Sequence, residues 1–501
     1  MKKTIITSIL LCLLCGSLKS QSWVIDFHGD YPLGRTHFNT GFVDEEGVTF
    51  LAGQQGPDRD THETILMRID PDGNHSEYIY HEEGFLSEAH CILETPDHHL
   101  FLAGRIFDEN DDYILTLILD KELNLLREDR YEKEVEATKF EMCTATTDTH
   151  GNIIVATSVE QPHAWGGAFH RGVFLKYDSQ GELTNRHYLI ADYPDPLYYL
   201  MRFQVRQMWY REQEETLLCL VPGYGNIMSF ITFDSSFNYI DEHPIWRETD
   251  GVFLDHYLNE DGYTDHWLSE NEALFFSSRG DYEHSKLRVS RITTNGDFNE
   301  FIQLNERPDT IDEAAKHRCM ATANDSTMYF SFFQHAICFM PGTATIYRLN
   351  NRLEITGRYI DDQHDFFRSY LIFPTNDGGC ITVNDSCDWD AYPLHSHPKI
   401  TKLQTDNFET IFLDVTTNPL KENGAFPNPA NNVLTIPLDL PKEDVVRCRV
   451  CDHLGRIVID QSIPNNSSSI RLDISHLKAG TYFYQVFTTN QTLLQERFIK
   501  K

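Results

Sequence analysis

Basic residues are scarce in this sequence. Lysine and arginine number 42 against 76 aspartates and glutamates, a formal net charge of −34. A field of that sign repels phosphate backbones, which excludes a nucleic-acid partner, and it opposes docking on anionic lipid. The acidity reads first as a solubility device, with a cation-binding surface as the alternative. Beyond the first twenty residues no run is long and apolar enough to cross a bilayer, so no integral membrane segment is expected. Cysteine is sparse and poorly arranged for a disulfide framework. Cys12 and Cys15 lie near the start, and Cys91, Cys143, Cys219, Cys319, Cys338, Cys380, Cys387, Cys448 and Cys451 are odd in number and scattered. They read as small apolar strand residues. Cys380 and Cys387, on either side of an expected loop, are placed to pair. Cys448 and Cys451 would face opposite sides of a strand.

Catalytic signatures are missing too. There is no Gly-x-Ser-x-Gly elbow, no His-Glu-x-x-His, no phosphate-binding glycine loop before a helix and no dinucleotide fingerprint. The sequence therefore names no catalytic residue, no cofactor and no metal.

What is present begins at the first residues. Lys2 and Lys3 precede an apolar run from Ile5 to Leu14, broken only by Thr7 and Ser8, and small or polar residues follow at Gly16, Ser17 and Ser20. That order predicts a signal peptide over residues 1–20, leaving Gln21 first. Cys12 and Cys15 each follow leucine, which argues against lipidation.

Further on, hydrophobic residues make up 41% and aromatics 12%, enough for a large core that leans towards β structure. A unit then recurs: a polar turn, an apolar strand, a loop, a second strand, a second polar turn and a third strand. The first turns start near residues 44, 97, 148, 212, 270, 324 and 376, with spacings between 51 and 64 residues. Asp44-Glu45-Glu46-Gly47 leads into VTFLAG, and ILMRID ends in Pro71-Asp72-Gly73-Asn74. Pro96-Asp97-His98-His99 leads into LFLAG, and Asp148-Thr149-His150-Gly151 into NIIVAT. Asp, Asn and Gly supply the backbone geometry of tight hairpin turns. One three- or four-stranded sheet cannot bury both faces alone, and radial stacking of such units gives a β-propeller. The expected fold is all-β, a seven-bladed β-propeller over residues 21–417, with the SWVIDF segment supplying a strand that closes the ring. β-Helix coils are shorter than about 50 residues, and paired sandwiches do not require seven phased units. WD, kelch and sialidase repeat signatures are absent. The Asp-rich turns before strands ending in Ala-Gly resemble the loose repeats of secreted Bacteroidetes propellers.

Composition breaks at residues 418–424, an Asn-, Pro- and Gly-rich linker. Three landmarks follow in order: Pro427-Asn428-Pro429, then Asp452-His453-Leu454-Gly455-Arg456 between two alternating strands, then Leu477 with Gly480-Thr481-Tyr482. The chain ends on Lys500 and Lys501. Residues 425–501 resemble the type A C-terminal sorting domain of type IX secretion cargo in Bacteroidetes. The resemblance implies a small immunoglobulin-like β-sandwich, with Pro427, Asn428, Pro429, Asp452, Gly455, Arg456, Leu477, Gly480, Tyr482, Lys500 and Lys501 as sorting-signal residues. It implies the type IX machinery as partner and a destination outside the cell or on its outer surface, by way of the periplasm.

Candidate ligand residues lie in loops. Asp385, Asp388, Trp389 and Asp390 combine carboxylates with a sugar-stacking aromatic, and Trp165 sits in a second aromatic loop. A surface loop is the plainer reading of each. His395 and His397 are spaced to share one face of a strand, as a transition metal would need. Pro393 and Pro398 point instead to a loop, and no partner ligand is evident. Asp108 to Asp112 reads as a solvated acidic loop, without the fixed spacing of a calcium site. The expected function is a non-enzymatic module that binds an extracellular glycan, peptide or surface protein. A polysaccharide-acting hydrolase and a structural surface protein are the alternatives.

Overall fold

Short strands joined by tight turns dominate the computed structural model, and the chain is all-β. Residues 22–409 and 430–501 are described, except 32–33, 58–60, 134–138, 163–167, 190–204, 223–227, 246–247, 250–251, 254–262, 270, 280–285, 305–310, 315–317, 325, 336–341, 352, 389–394, 438–446, 453–456, 464–468 and 488–491. No described helix is long and apolar enough to cross a membrane. The chain divides into two compact units, Met1–Thr410 and Ile411–Lys501.

In the first unit, four-stranded antiparallel sheets follow one another along the chain. Strands β2 (Arg35–Val43), β3 (Thr49–Gly56), β4 (Glu63–Ile69) and β5 (His75–Tyr80) pair in sequence order. So do β6 (Leu86–Glu94), β7 (Leu100–Phe107), β8 (Asp112–Leu119) and β9 (Leu125–Glu132). The continuous apolar runs have a simple cause: each second strand is buried on both faces. Phe50 and Ala52 pack towards the β6–β9 sheet, while Leu51 between them packs towards the last sheet. Leu100 and Leu102 share the core of Phe50, whereas Phe101 and Ala103 turn to the next sheet with Ile153 and Val155. Successive side chains point to opposite faces, so one strand serves two cores.

The cores continue in this way. Ile154 and Phe174 meet Leu217 and Cys219 of the following sheet, Leu218 and Phe230 meet Phe275 and Ile292, and Leu274 and Val289 meet Phe330 and Tyr347. Tyr329 and Ile346 then meet Ile372 and Cys380. Last, Leu371, Ile381 and Ile400 pack against Phe38, Leu51 and Met67 of the first sheet. A short strand β1 (Trp23–Asp26) pairs antiparallel with His395–Leu403, so the chain's start closes its last sheet, as the SWVIDF segment led one to expect.

The turns that end these strands share one device. The Asp70 carboxylate accepts the Asp72 and Asn74 N–H groups at 3.0 and 2.9 Å and the Asn74 side-chain amide at 2.8 Å. Asp120 with Asn124 and Asp234 with Asn238 repeat the pattern. Burial would raise these carboxyls, but the hydrogen bonds outweigh it and hold Asp70, Asp120 and Asp234 below the usual range. The residue before each asparagine has positive φ: Gly73 at 91°, Leu123 at 64° and Phe237 at 66°. Leucine and phenylalanine are uncommon there. Both are buried in inter-sheet cores, where Phe237 stacks on Phe174 at 5.0 Å.

The second unit holds a four-stranded sheet of Ile457–Ser462, Arg447–Asp452, Gly480–Phe487 and Thr492–Lys500, and a two-stranded sheet of Val433–Pro437 and Ser469–Asp473. Leu434, Ile436, Ile470 and Leu472 from the small sheet share one core with Cys448, Val450, Tyr484, Val486 and Phe498 from the large one.

Two expectations need correction. Cys380 and Cys387 do not flank a loop. Both lie on the strand Cys380–Asp388, about 23 Å apart at the rise of an extended strand, and Cys380 is a free buried thiol. Pro398 belongs to the strand His395–Leu403, where its carbonyl accepts the Phe27 N–H at 3.1 Å.

The buried side chain, more than the turn backbone, is expected to carry the stability of these turns. Phe237→Ala should cost about 3–5 kcal/mol. Gly378→Ala, at φ 84° with nothing near its missing Cβ, should cost only about 1–2 kcal/mol of left-handed strain. Urea unfolding of both variants checks this, and equal losses would refute it.

Candidate functional site

The antiparallel order gives the first unit two unlike ends. The connections between third and fourth strands are the tight turns already described, and those between first and second, such as Asp44–Val48 and Thr95–His99, are tight turns too. At the other end, residues 57–62 and 108–111 join second to third strands, and residues 81–85 join one sheet to the next.

Near that second end, the first strand of a sheet carries a bulge. Pairing skips Asn39 in β2, His90 in β6 and Tyr370 in the last sheet. Bulges re-aim side chains. Here they tie neighbouring first strands together: Asn39 donates to the Ala89 carbonyl at 3.0 Å, the Cys143 N–H donates to His90 Nδ1 at 3.1 Å, and the Arg318 N–H donates to the Tyr370 carbonyl at 3.0 Å.

A charged network is built around the second bulge. Glu88, on β6, lies 3.1 Å from His90 Nε2, 3.9 Å from Arg105 and 3.8 Å from His62. Arg105, on β7, forks onto Asp112 through two bonds of 2.8 Å, and its guanidinium lies 4.0 Å from the Phe107 ring centroid. Asp112 also accepts the Phe140 N–H of the next sheet at 2.8 Å. Burial alone would raise the Glu88 carboxyl, but His90, Arg105 and His62 bring it down to about 2. Asp112 thus departs from the solvated acidic loop expected for residues 108–112: it is buried in an ion pair. Asp108 fits a solvated turn, accepting the Asn110 and Asp111 N–H groups.

Cys143 Sγ lies 3.5 Å from His90 Nδ1, so cysteine, histidine and glutamate stand in the order of a nucleophile, its base and an orienting acid. The chemistry is not that of a nucleophile. His90 Nδ1 already accepts the Cys143 N–H. Burial first, then Cys91 and Glu88, push the Cys143 thiol well up, which keeps it protonated. The network joins sheets through satisfied charges.

Other titratable groups gather at the same end. His37 lies 3.6 Å from the buried Asp385, and Lys399 and Asp361 form a buried pair at 2.6 Å. Asp385 is therefore a core residue, separate from a loop cluster with Asp388. Asp388 ends its strand opposite His395, while Trp389, Asp390 and Trp165 fall outside the described residues. Asp26 and His28 come up against His397, supplying the carboxylate that the His395/His397 spacing lacked. The signal was an Asp-x-His pair at the end of the segment expected to close the ring, with Asp26 inside SWVIDF and His28 just after it.

In the second unit, Pro427, Asn428, Pro429, Gly455 and Arg456 fall outside the described residues. Asp452 ends its strand opposite Tyr482. Leu477 and Tyr482 are buried in the core, and the Tyr482 hydroxyl donates to the Lys478 carbonyl at 2.9 Å. Gly480 pairs with Lys500, which is buried, and the Lys501 N–H donates to the Ala430 carbonyl at 2.9 Å. On the outer face of the larger sheet, Ile457, Cys451, Phe483 and Arg497 form one cross-strand row, with Ile499 beside it. Ile457, Phe483 and Ile499 are exposed.

Residues 424–501 match the family described as secretion system C-terminal sorting domain. No curated protein matches the chain. Similar solved structures include the extracellular domain of a one-component system from B. thetaiotaomicron, 11% identical with a TM-score of 0.40, covering 97% of this chain and 58% of that one. Polysaccharide lyase Uly1 is 10% identical, TM-score 0.44, covering 77% and 98%. The β-propeller domain of the Trilobed protease from Pyrococcus furiosus is 10% identical, TM-score 0.38, covering 74% and 98%. The chain spans under two thirds of the first of these.

The Glu88 network makes stability depend on acid pH. Its folded carboxyl lies at about 2 against an ordinary 4.5. Its contribution is complete above 4.5 and is lost as pH falls towards 2. Glu88→Gln is expected to cost about 3 kcal/mol at pH 7, with the gap to wild type narrowing by pH 3. Denaturant unfolding at the two pH values checks this, and a gap independent of pH would refute it.

Proposed function

We propose that this is a type IX secretion cargo whose first unit binds an extracellular ligand. In this reading residues 1–20 are the signal peptide, 21–417 a seven-bladed β-propeller, 418–424 a linker and 425–501 an immunoglobulin-like sorting sandwich. The observation that carries the export route is the family match over residues 424–501, on a segment with its own core. The propeller reading draws support from the succession of shared cores, in which the last sheet packs on the first.

Binding is favoured over hydrolysis by the carboxylates of the network around His90, which are tied to basic partners. Glu88 lies against His90, His62 and Arg105, and Asp112 takes both prongs of the Arg105 fork. A hydrolase acting through paired acids needs one carboxyl held protonated. The ligand is read as a glycan, a peptide or a surface protein, met by the connections that include Trp165 and Asp388–Asp390. The mature protein would be released or held on the outer surface.

Two experiments test this. Deleting residues 425–501 should hold the protein in the periplasm of a type IX-competent host. Phe483→Lys should reduce export with folding intact, since it charges the exposed apolar row. Unchanged export of the deletion would overturn the route. The chain from Gln21, screened on a glycan array beside chromogenic glycosides, should bind without turnover. Trp165→Ala or Trp389→Ala should weaken binding at least about tenfold. Turnover of a glycoside would overturn the binding reading.

A further inference from the structure

We propose that Asp26, His28 and His397 form a site for a divalent transition-metal ion of the zinc class, and that the ion clips the start of the chain to the sheet it closes.

The placement comes from the strand ladder. β1 pairs with His395–Leu403 in the register Ile25 to Ile400 and Asp26 to Lys399. The Phe27 N–H continues it onto the Pro398 carbonyl at 3.1 Å. The next pair in that register is His28 and His397, and their rings lie 4.2 Å apart at 34°. Asp26 reaches both: Oδ1 is 2.8 Å from His397 Nε2, and Oδ2 is 3.8 Å from His28 Nε2. One donor atom from each residue falls within 4.8 Å of the other two. A tetrahedral ion with bonds of about 2.0–2.2 Å wants donors about 3.4 Å apart, and the two carboxylate–imidazole distances straddle that value.

The donor set selects the ion. Two imidazoles with one carboxylate suit zinc, nickel or copper. Calcium and magnesium prefer all-oxygen shells. Three protein ligands leave a coordination position for water or for a donor on a bound ligand. Asp26 and His28 are each about half exposed, so an ion has a way in and the side chains can turn to meet it, while the more buried His397 is the fixed partner. A simple ion pair would need only Asp26 and a protonated His397. It gives no reason for a second imidazole at ring contact, where two imidazolium charges would repel. A metal ion satisfies both rings as neutral donors.

The consequence is a staple. Asp26 and His397 bracket nearly the whole first unit, so the bridge closes a loop on the order of 370 residues, where a constraint on the unfolded chain counts most. β1 has only four residues to hold that closure by itself.

The test uses the mature chain stripped with EDTA, with Zn²⁺ alone as the probe. Calorimetric titration should show one high-affinity ion per chain, and saturating Zn²⁺ should raise the thermal midpoint by about 3 °C. Ca²⁺ and Mg²⁺ should give no shift. His28→Ala should keep the metal-free midpoint and lose Zn²⁺ affinity at least about tenfold, and His397→Ala should lose it as well. Co²⁺ in place of zinc should give visible bands of tetrahedral intensity in the wild type and not in His28→Ala. Zinc taken up by the other histidines should be the same in wild type and variants. Identical titrations for wild type and His28→Ala, or no zinc binding by the wild type, would overturn the site.

Discussion

Two-faced burial of the second strand in each sheet is the constraint on which the first unit depends. A strand with one wet face can tolerate a slipped register at modest cost. A strand such as Leu100–Phe107, whose alternate residues enter two different cores, cannot slip by one residue without exchanging every contact on both sides. Register must therefore be set locally, before the cores form. The turns do this: a carboxylate captures two turn amides and an asparagine side chain, which fixes where the third strand ends and the fourth begins. Where the left-handed position is leucine or phenylalanine, the same turn also sends a side chain into the core between sheets. Turn chemistry and core packing are here one device.

That coupling explains what could be read from the sequence. Asp, Asn and Gly clusters ahead of apolar hexapeptides mark the turns because they are the turns' working parts, and the phase of the repeats follows. The SWVIDF segment was legible as a closing strand because it is a short apolar run standing ahead of the first repeat. What could not be read has a physical cause as well. Leu123 and Phe237 look like ordinary strand residues, and nothing local announces their positive φ. The acidic run 108–112 looks uniform, yet Asp108 faces solvent and Asp112 is buried, because Arg105 lies across the hairpin from it. The Glu88 network and the Asp26–His28–His397 meeting draw residues from different sheets or from opposite ends of the unit. No spacing rule on a single segment finds such a set.

The division of charge follows from the same architecture. Tight turns occupy one end of the sheets, and their carboxylates serve backbone amides and, at Asp44 and Asp148, a lysine each at 2.8 Å. At the other end the longer connections and the first-strand bulges leave room for side chains to converge, and histidine, arginine and lysine meet carboxylates there. A chain of net charge −34 has few cations to place. Arg105, Lys399, Lys121 and Lys176 each sit on a buried carboxylate, which is where an uncompensated charge would cost most.

The second unit makes a contrasting use of its motif residues. Leu477 and Tyr482, prominent in the sorting signature, are buried in the core, and Lys500 is largely buried beside the strand it ends. A machinery that reads the folded module cannot touch most of Leu477 or Tyr482 directly. Their place in the signature is explained by the core they fill: Tyr482 stacks on Phe498 at 5.6 Å and anchors the strand whose outward residue is Phe483. The outer face then carries what the core residues make possible, a cross-strand row in which Ile457 and Phe483 remain exposed. Exposed apolar side chains in a row on a small sheet are costly to a secreted protein unless something covers them during its passage. A signature of buried residues and an apolar outer face are thus two sides of one sheet, the first fixing the shape and the second presenting it.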